Sequence, residues 1–349
     1  MENLSVYRNT AIKKGLWSIR DKKENYHRIL DKAIAHFNEE LAAIEQRCLD
    51  SKENPDVLLN AVTKVTNNMN HVCEEFERGV SYDKTITKDA QARFREKTEF
   101  IMSKSYFINR ARTWPQGYQG DHKTLEFIYR TTPQSEGIGY YLDLYALNVA
   151  LAEGVRNRIK KLENILREEI VIRETPSILN VACGSCRELV GLSADIISST
   201  AKVICIDYDN DALNFAQGRL SYTGALPQIE FRKYNALRMF DHELNMMEFG
   251  MQDIIYSMGY FDYLTDDFLV KMLRSLYMLL NPGGKLIMPF KDAAKYKPQD
   301  YHWLCDWDGF LQRTEDDFDR ILEEAGISDS ALSQRRDKSG VIIFYTATK

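Results

Sequence analysis

The spacing of hydrophobic residues divides the chain into two parts. In the first part apolar residues recur at helical spacing among charges, which predicts helices over residues 25–45, 54–77, 89–103 and 139–171. A charged break at residues 50–55 separates the first two, so we expect them to form an antiparallel pair. Their apolar faces predict packing either on themselves or on a second copy of the chain, as in a homodimer.

In the second part short apolar runs alternate with amphipathic stretches. The runs predict strands over residues 178–181, 203–207, 228–233, 252–257, 285–289 and 341–347, with helices over 211–220 and 266–280. An Asn-Pro-Gly-Gly turn at residues 281–284 separates the second helix from the following strand. The pattern predicts an α/β fold, with a helical N-terminal domain over residues 1–165 and a sheet domain over residues 166–349.

The turn after the first strand has the composition of a nucleoside-binding site. It contains the small residues Ala182, Gly184 and Ser185, and the next strand ends at Asp207. Small residues let the backbone approach a ligand closely, and a carboxylate at that place accepts hydrogen bonds from a ribose. A dinucleotide site needs a further glycine where Arg187 stands. The predicted ligand is therefore adenosine-like, and NAD is disfavoured.

The same turn resembles motif I of the class I S-adenosyl-L-methionine (SAM) methyltransferases. Asn180 replaces the usual acidic residue, Ala182 the first glycine and Cys186 the third, whereas the later Asp-containing strand and the Asn-Pro-Gly-Gly turn match the group well. The resemblance implies a Rossmann-like class I methyltransferase sheet, SAM as cofactor and S-adenosyl-L-homocysteine (SAH) as product. By position, the cofactor contacts would be Ala182, Cys183, Gly184, Ser185, Asp207, Tyr208, Asp209, Asn235, Ala236, Tyr256 and Ser257.

The least regular stretch is TWPQGYQGDH at residues 113–122. Glycines and a proline interrupt any helix there, and tryptophan and tyrosine are costly in a loop unless they cover something. A lid or substrate wall and an interdomain linker with packed aromatics are equally good interpretations.

Longer blocks resemble one bacterial family. TWPQGYQGDHKTLEFIY, GIGYYLDLYALNVALAEGVRNRI, ILNVACGSCRELVGL and IIYSMGYFDYLTDD are similar, in this order, to the extracellular factor 3-hydroxypalmitic acid methyl ester biosynthesis proteins. The likeness runs from about residue 110 to the last residue of the sequence. It implies an enzyme that methylates a small molecule in signal or secondary-metabolite biosynthesis, with a carboxylate as one candidate acceptor.

Such an acceptor would need side chains suited to its chemistry. An ionised carboxylate needs no base but does need a cationic or hydrogen-bonding cradle. The candidates are His122, Tyr118, Tyr140, Arg156 and Arg158.

Two alternatives remain open. A phenol or amine acceptor would need a general base, for which Asp262, His122 and His302 are the available residues. Asp262 has a structural alternative as the cap of the helix after it. The departures in motif I also allow a catalytically inactive module that senses SAM or binds a partner.

Composition limits the other function classes. The 349 residues are 44% hydrophobic and carry a net charge of −5, which offers no basic field for nucleic acid. Residues 1–15 lack the apolar core of a signal peptide and no apolar run is long enough to span a bilayer, so we predict a cytoplasmic protein. Cys183 and Cys186 form a C-x-x-C pair without a second pair, and we interpret them as small residues lining the turn, with no metal site.

Overall fold

Helices fill the first part of the chain and alternate with strands further along. The computed structural model describes residues 19–49 and 52–349. Residues 1–15, assessed above for a signal peptide, and residues 50–51 of the charged break lie outside the described residues. The helices are α1 (Ile19–Arg47), α2 (Pro55–Gly79), α3 (Lys84–Met102), α4 (Tyr106–Thr113), α5 (His122–Arg130), α6 (Ile138–Asn148), α7 (Ala150–Val171), α8 (Arg187–Gly191), α9 (Ser193–Ser198), α10 (Asn210–Leu220), α11 (His242–Phe249), α12 (Asp266–Met278), α13 (Gln299–His302) and α14 (Glu315–Glu324).

The seven strands form one sheet. They are β1 (Ser177–Val181), β2 (Lys202–Asp207), β3 (Ile229–Lys233), β4 (Gln252–Tyr256), β5 (Leu280–Lys291), β6 (Leu332–Arg336) and β7 (Ile342–Thr348). Their order is β3-β2-β1-β4-β5-β7-β6, and β7 runs antiparallel to both of its neighbours. This mixed sheet with flanking helices confirms the predicted α/β, Rossmann-like sheet and the helical N-terminal region.

The described chain separates into two compact units. A helical unit contains the described residues up to Asn109, Gln134–Tyr145 and Gln299–Asp306, and a sheet unit contains Arg110–Pro133, Ala146–Pro298 and Trp307–Lys349. The domain boundary predicted at residue 165 stays a prediction. Among the described residues, no helix combines the length and apolar character required to cross a membrane.

The helical unit has its own core. Phe76 of α2 and Phe94 of α3 meet the fully buried Trp303 edge-on, with ring centroids 5.8 and 5.9 Å away. Trp303 also donates its indole N–H to the Glu77 carboxylate at 2.6 Å, so this buried acid has a partner. Asn54 caps α2 by accepting from the Asp56 backbone N–H at 2.9 Å, directly before the proline that starts the helix.

The core of the sheet unit lies along β5 and β7 and the helices that cover them. Phe290 of β5 stacks on Phe318 of α14 at 4.3 Å, and the buried faces of α12 and β4 continue the same cluster. The central parallel strand β1 is buried over all but its first residue, as expected for a parallel strand in a sheet covered on both faces.

Two predicted elements differ from those observed. The single helix predicted over residues 139–171 is two helices, because Val149 takes an extended conformation between α6 and α7. Arg156 donates to the Leu147 carbonyl at 2.6 Å, which satisfies an oxygen at the end of α6. The predicted Asn-Pro-Gly-Gly turn lies inside β5, where the pairing register with β4 shifts after Gln252.

Candidate active site

The turn after β1 is held in an unusual backbone conformation. Ala182, Gly184 and Cys186 have positive φ angles of 53°, 56° and 46°. Glycine adopts this region without strain, while alanine and cysteine do so at a cost. A Cβ built on Gly184 would meet no heavy atom within 4 Å, so the space beside this residue is open to a ligand.

Asp207 ties this turn to the end of β2. Its Oδ2 accepts the Gly184 N–H at 2.8 Å and its Oδ1 accepts the Asp209 N–H at 2.9 Å. Burial raises the pKa of the Asp207 carboxyl group, while these two backbone donors oppose the rise. Each oxygen retains acceptor capacity, which is what two ribose hydroxyls would use.

Glu126 of α5 clamps the same turn from the other side. Its buried carboxylate accepts from Ser185 Oγ at 2.9 Å, from Arg187 at 2.7 Å and from Arg219 of α10 at 2.7 Å. Burial would raise the pKa of Glu126, but the two arginines hold it below its ordinary value. Sequence reasoning missed this residue, although it lies in the TWPQGYQGDHKTLEFIY block.

The irregular segment before α5 reaches the end of β2. The Tyr118 hydroxyl donates to Asp209 Oδ2 at 2.7 Å, and both burial and this carboxylate raise the pKa of Tyr118. His122 is buried, 3.7 Å from the same oxygen, and neither ring nitrogen has a hydrogen-bond partner among the described residues. Burial lowers the pKa of His122, which favours the neutral imidazole.

The remaining predicted cofactor residues are placed as follows. Tyr208 is 70% exposed after β2, with the Lys233 ammonium 5.5 Å from its ring centre. Asn235 caps the short helical turn after β3 by accepting the Leu237 N–H at 3.0 Å, and Ala236 beside it is buried. These residues follow the carboxyl ends of β2 and β3, where open α/β sheets bind ligands.

Tyr256 is the exception among them. It is fully buried, and its hydroxyl donates to Glu188 Oε1 at 2.8 Å. Asn180 donates to the same oxygen at 2.9 Å, and burial raises the pKa of Glu188 to about 7. The Tyr256 side chain therefore braces the interior, and only its backbone stands at the end of β4.

A buried cation stands beside the end of β4. Arg158 of α7 is 3% exposed, and a Cβ on Gly259 would lie 2.7 Å from its Nη1. Among the described residues no carboxylate lies within ion-pair distance of Arg158, and its Nε has no hydrogen-bond partner. The fully buried Ser257 hydroxyl, two residues before Gly259, is also without a partner there.

Asp262 pairs with a neighbouring lysine. Its carboxylate forms an ion pair with Lys291 of β5, and both side chains are buried. Burial lowers the pKa of Lys291; Asp262 opposes this and the nearby Arg158 charge adds to it. Arg158 therefore lies near the ion pair of Asp262 and Lys291 without belonging to it. Thr265, not Asp262, occupies the cap position before α12.

Two further candidates lie in the helical unit. Tyr140 is 39% exposed on α6 and packs edge-on against Tyr141 at 5.2 Å. His302 ends α13. Their predicted roles stay predictions.

The polar groups of the sheet unit suit a ligand that is a nucleoside carrying a sulfonium, such as SAM. The space beside Gly184, after β1, is open, and Asp207 at the end of β2 is a carboxylate with spare acceptor capacity. Ser257 after β4 and His122 of α5 have buried polar atoms without partners among the described residues. Buried polar atoms are normally hydrogen-bonded, so these atoms mark places where a ligand would supply the partner. The residues present fit SAM.

Comparison with known proteins covers the same region. Residues 178–284 match the family model of a methyltransferase domain. The chain is 24% identical over 178 residues to the ubiquinone/menaquinone biosynthesis C-methyltransferase UbiE of Pseudoalteromonas translucida (strain TAC 125). That alignment covers 48% of this chain and 64% of the relative, so the chain spans less than two thirds of it.

Two solved structures are among the matches. A possible exported protein from Bordetella parapertussis is 17% identical with a TM-score of 0.55, covering 92% of this chain and 96% of that one. An O-methyltransferase family protein from Burkholderia thailandensis is 14% identical with a TM-score of 0.44, covering 57% of this chain and 59% of that one. At this identity the Bordetella structure shows a common fold alone.

The family match confirms the predicted enzyme class for its part of the chain. Residues 178–284 are a SAM-dependent methyltransferase domain, running from β1 into the Asn-Pro-Gly-Gly segment of β5. The match includes the turn at Gly184 and the carboxylate of Asp207 but excludes α5 and α7. Glu126, His122 and Arg158 therefore belong to parts of this chain beyond the matched domain.

Proposed function

We propose that this protein transfers a methyl group from SAM to the carboxylate of a small molecule, giving a methyl ester and SAH. The observation that carries this proposal is Arg158, a buried guanidinium without a carboxylate partner among the described residues, next to Gly259 after β4. Methyl acceptors approach a cofactor at the carboxyl ends of the strands. A buried unpaired cation is costly, and an anionic substrate would offset that cost.

The chemistry requires little from the protein beyond positioning. When bound, SAM supplies a methyl group on an electrophilic sulfonium. A carboxylate oxygen forms a bond to the methyl carbon while the carbon–sulfur bond breaks, and that electron pair stays on the sulfur of SAH. No proton is transferred, so Arg158 would hold the nucleophile in line and no base is needed.

The cofactor contacts follow from the same placement. Asp207 would accept from the ribose hydroxyls, Gly184 and Ser185 would border the methionine part, and Ala236 would lie near the adenine. Tyr118, bonded to Asp209, would cover the nucleoside and exclude water.

The likeness to the extracellular factor 3-hydroxypalmitic acid methyl ester biosynthesis proteins supports a carboxylate acceptor. Arg158 is part of the GIGYYLDLYALNVALAEGVRNRI block that carries this likeness. The same proposal includes a small-molecule acceptor and no nucleic-acid substrate. It also includes a homodimer and a cytoplasmic location.

The acceptor atom can be identified directly. The purified full-length chain is incubated with methyl-labelled SAM and panels of carboxylic acids, amines and phenols. We expect label in a product from which mild alkali releases methanol, as it does from a methyl ester. Label on nitrogen or phenolic oxygen would overturn the ester proposal. Thermal stabilisation by SAH without any transfer would favour a non-catalytic module.

A second candidate function rests on His122. Its two ring nitrogens have no partner among the described residues, and its lowered pKa favours the neutral form that can accept a proton. A phenol or amine acceptor would use His122 as general base. Asp262 suits this role less well, because protonation would break its ion pair with Lys291.

A further inference from the structure

Three cysteine thiols converge under the cofactor turn. The sulfur atoms of Cys183, Cys186 and Cys205 all lie within 4.8 Å of one another, and all three residues are buried. Two come from the turn after β1 and the third from β2, where Cys205 pairs in register with Asn180. The C-x-x-C pair alone carries little meaning, but folding adds a third thiol that the sequence spacing does not reveal.

The backbone conformation at Cys186 distinguishes this cluster from an ordinary group of packed cysteines. Cys186 holds a left-handed conformation, with φ of 46°, at a position where the resemblance to motif I leads one to expect glycine. Glycine would adopt this conformation freely, whereas a cysteine is strained there. A residue with an unfavourable backbone conformation therefore has its sulfur beside two other sulfurs, which indicates a functional role for the thiol.

A neighbouring polar group also faces the sulfur atoms. Asn180 Nδ2 lies 3.9 Å from Cys186 Sγ and holds Glu188 at 2.9 Å with the same amide. Amide donors next to metal-bound thiolates orient and stabilise them. Asn180 is itself a departure from the acidic residue expected in motif I, so two departures belong to one cluster.

The upper limit on the sulfur separations admits a trigonal thiolate site. Metal–sulfur bonds of about 2.3 Å in a trigonal plane place the sulfurs about 4 Å apart, within the range observed. Among the described residues no fourth histidine, cysteine or carboxylate completes the group. Structural zinc almost always takes four ligands, whereas soft thiolates also select copper(I).

We propose that Cys183, Cys186 and Cys205 bind one soft d10 metal ion, with copper(I) favoured over zinc. Each thiol that becomes a ligand releases its proton to solvent as the metal–sulfur bond forms, and no oxidant or reductant is consumed. The bound ion would join the cofactor turn to β2 and fix the strained backbone around Gly184. This proposal does not depend on the acceptor or on methyl transfer.

Metal titration of the full-length, reduced and metal-free chain tests the site. Cd²⁺ serves as the optical probe, while separate titrations with Zn²⁺ and chelator-buffered Cu⁺ identify the preferred ion. We expect one ion per chain and a thiolate-to-metal charge-transfer absorption with Cd²⁺. Cys186→Gly should abolish binding while keeping the secondary structure by circular dichroism, because glycine suits the left-handed position. Cys73→Ala, a buried cysteine of the helical unit, should bind like the parent.

Several results would overturn the site. One is the absence of a charge-transfer band at one equivalent of Cd²⁺; another is equal binding by the parent and Cys186→Gly. A disulfide between two of the three cysteines that persists under reductant would likewise exclude it. If Cys186→Gly does not fold, Cys205→Ala provides the same test from the neighbouring strand.

Discussion

Two groups of polar residues in the sheet unit differ in how completely their hydrogen-bonding atoms are paired. On the proposed cofactor side, Asp207 and Glu126 each have their donors in place: two backbone N–H groups for the first, and a serine with two arginines for the second. On the proposed acceptor side, His122, Arg158 and Ser257 are buried and keep polar atoms without partners among the described residues.

Under the proposed function, this difference separates preorganisation for the cofactor from recognition of the substrate. A carboxylate that the fold already holds rigidly can offer its remaining lone pairs to a cofactor without reorganising. Unpartnered buried groups destabilise the free protein and gain most when a ligand supplies the missing bond. Substitutions on the cofactor side should therefore change cofactor affinity or stability, and those on the acceptor side should change turnover of the acceptor.

Asp207→Ala should have the largest effect, on SAH affinity. Hydrogen bonds to a charged group contribute about 1.5–3 kcal/mol each, so losing two ribose contacts should weaken SAH binding at least about 100-fold. The SAH affinity of Asp207→Asn should lie between those of Asp207→Ala and the parent. Isothermal calorimetry measures the affinities, with Asp211→Ala on the exposed side of α10 as control. An Asp207→Ala protein that binds SAH like the parent would remove Asp207 from the cofactor site.

Arg158→Met should reduce acceptor turnover and leave SAH affinity unchanged. Loss of a charge-assisted bond to the substrate carboxylate should lower kcat/KM about 10- to 100-fold. Arg158→Lys keeps the charge but not the planar donor pair and should be intermediate. Lys160→Met, exposed on the same helix, is the matched control. A fall in SAH affinity in Arg158→Met would contradict the separation of the two sides.

Glu126→Gln should destabilise the fold more than it affects chemistry. The neutral amide loses the charged bonds to Arg187 and Arg219, so the free energy of unfolding should fall by about 2 kcal/mol. SAH affinity should fall a few-fold because the turn at Ser185 is held less firmly without the charged bonds to the two arginines. Urea unfolding measures the first effect and calorimetry the second, with the exposed Glu248→Gln as control. Unchanged unfolding would show that the clamp contributes little.

The positions of the proposed cofactor residues in the fold were predictable from the sequence because their signals are local. Gly184 and Asp207 follow directly from a strand, a turn and the end of the next strand, and the order of elements predicts the sheet that brings them together. Asn235 and Ala236 depend on the same reasoning. Tyr256 was chosen by position on β4, but strand periodicity did not reveal that its hydroxyl contacts Glu188.

The rest depends on contacts between distant residues. Glu126 and Ser185 are 59 positions apart, and a buried acid within an amphipathic helix has the same local pattern as a surface charge. The ion pair of Asp262 with Lys291 and the approach of Cys205 to the C-x-x-C pair are equally non-local. The break at Val149 carries no glycine or proline signal, so the continuous helix was the natural prediction.

Tyr118→Phe should have a smaller effect, on the rate at which SAH dissociates. The variant keeps the ring but loses the 2.7 Å bond from its hydroxyl to Asp209. Since this side chain is 41% exposed, we expect the lost hydrogen bond to have contributed only about 1 kcal/mol, so SAH should dissociate about fivefold faster. Stopped-flow displacement measures the rate, and Tyr222→Phe, which is 93% exposed, is the control. Equal rates would make the segment a linker instead of a lid.

The smallest expected effect is a pH dependence from His122. Burial lowers its folded-state pKa below the unfolded value of about 6.5, so the unfolded chain binds the proton more tightly. The stability associated with neutral His122 is present above that pH and declines as the pH falls below it. Unfolding free energies at about pH 7.5 and 5.5 should therefore fall more in the parent than in His122→Gln. His36→Gln, with a largely exposed ring, should follow the parent. Parallel losses in the parent and His122→Gln would mean that the imidazole gains a partner on protonation, and His122 would then belong with the bonded cofactor side.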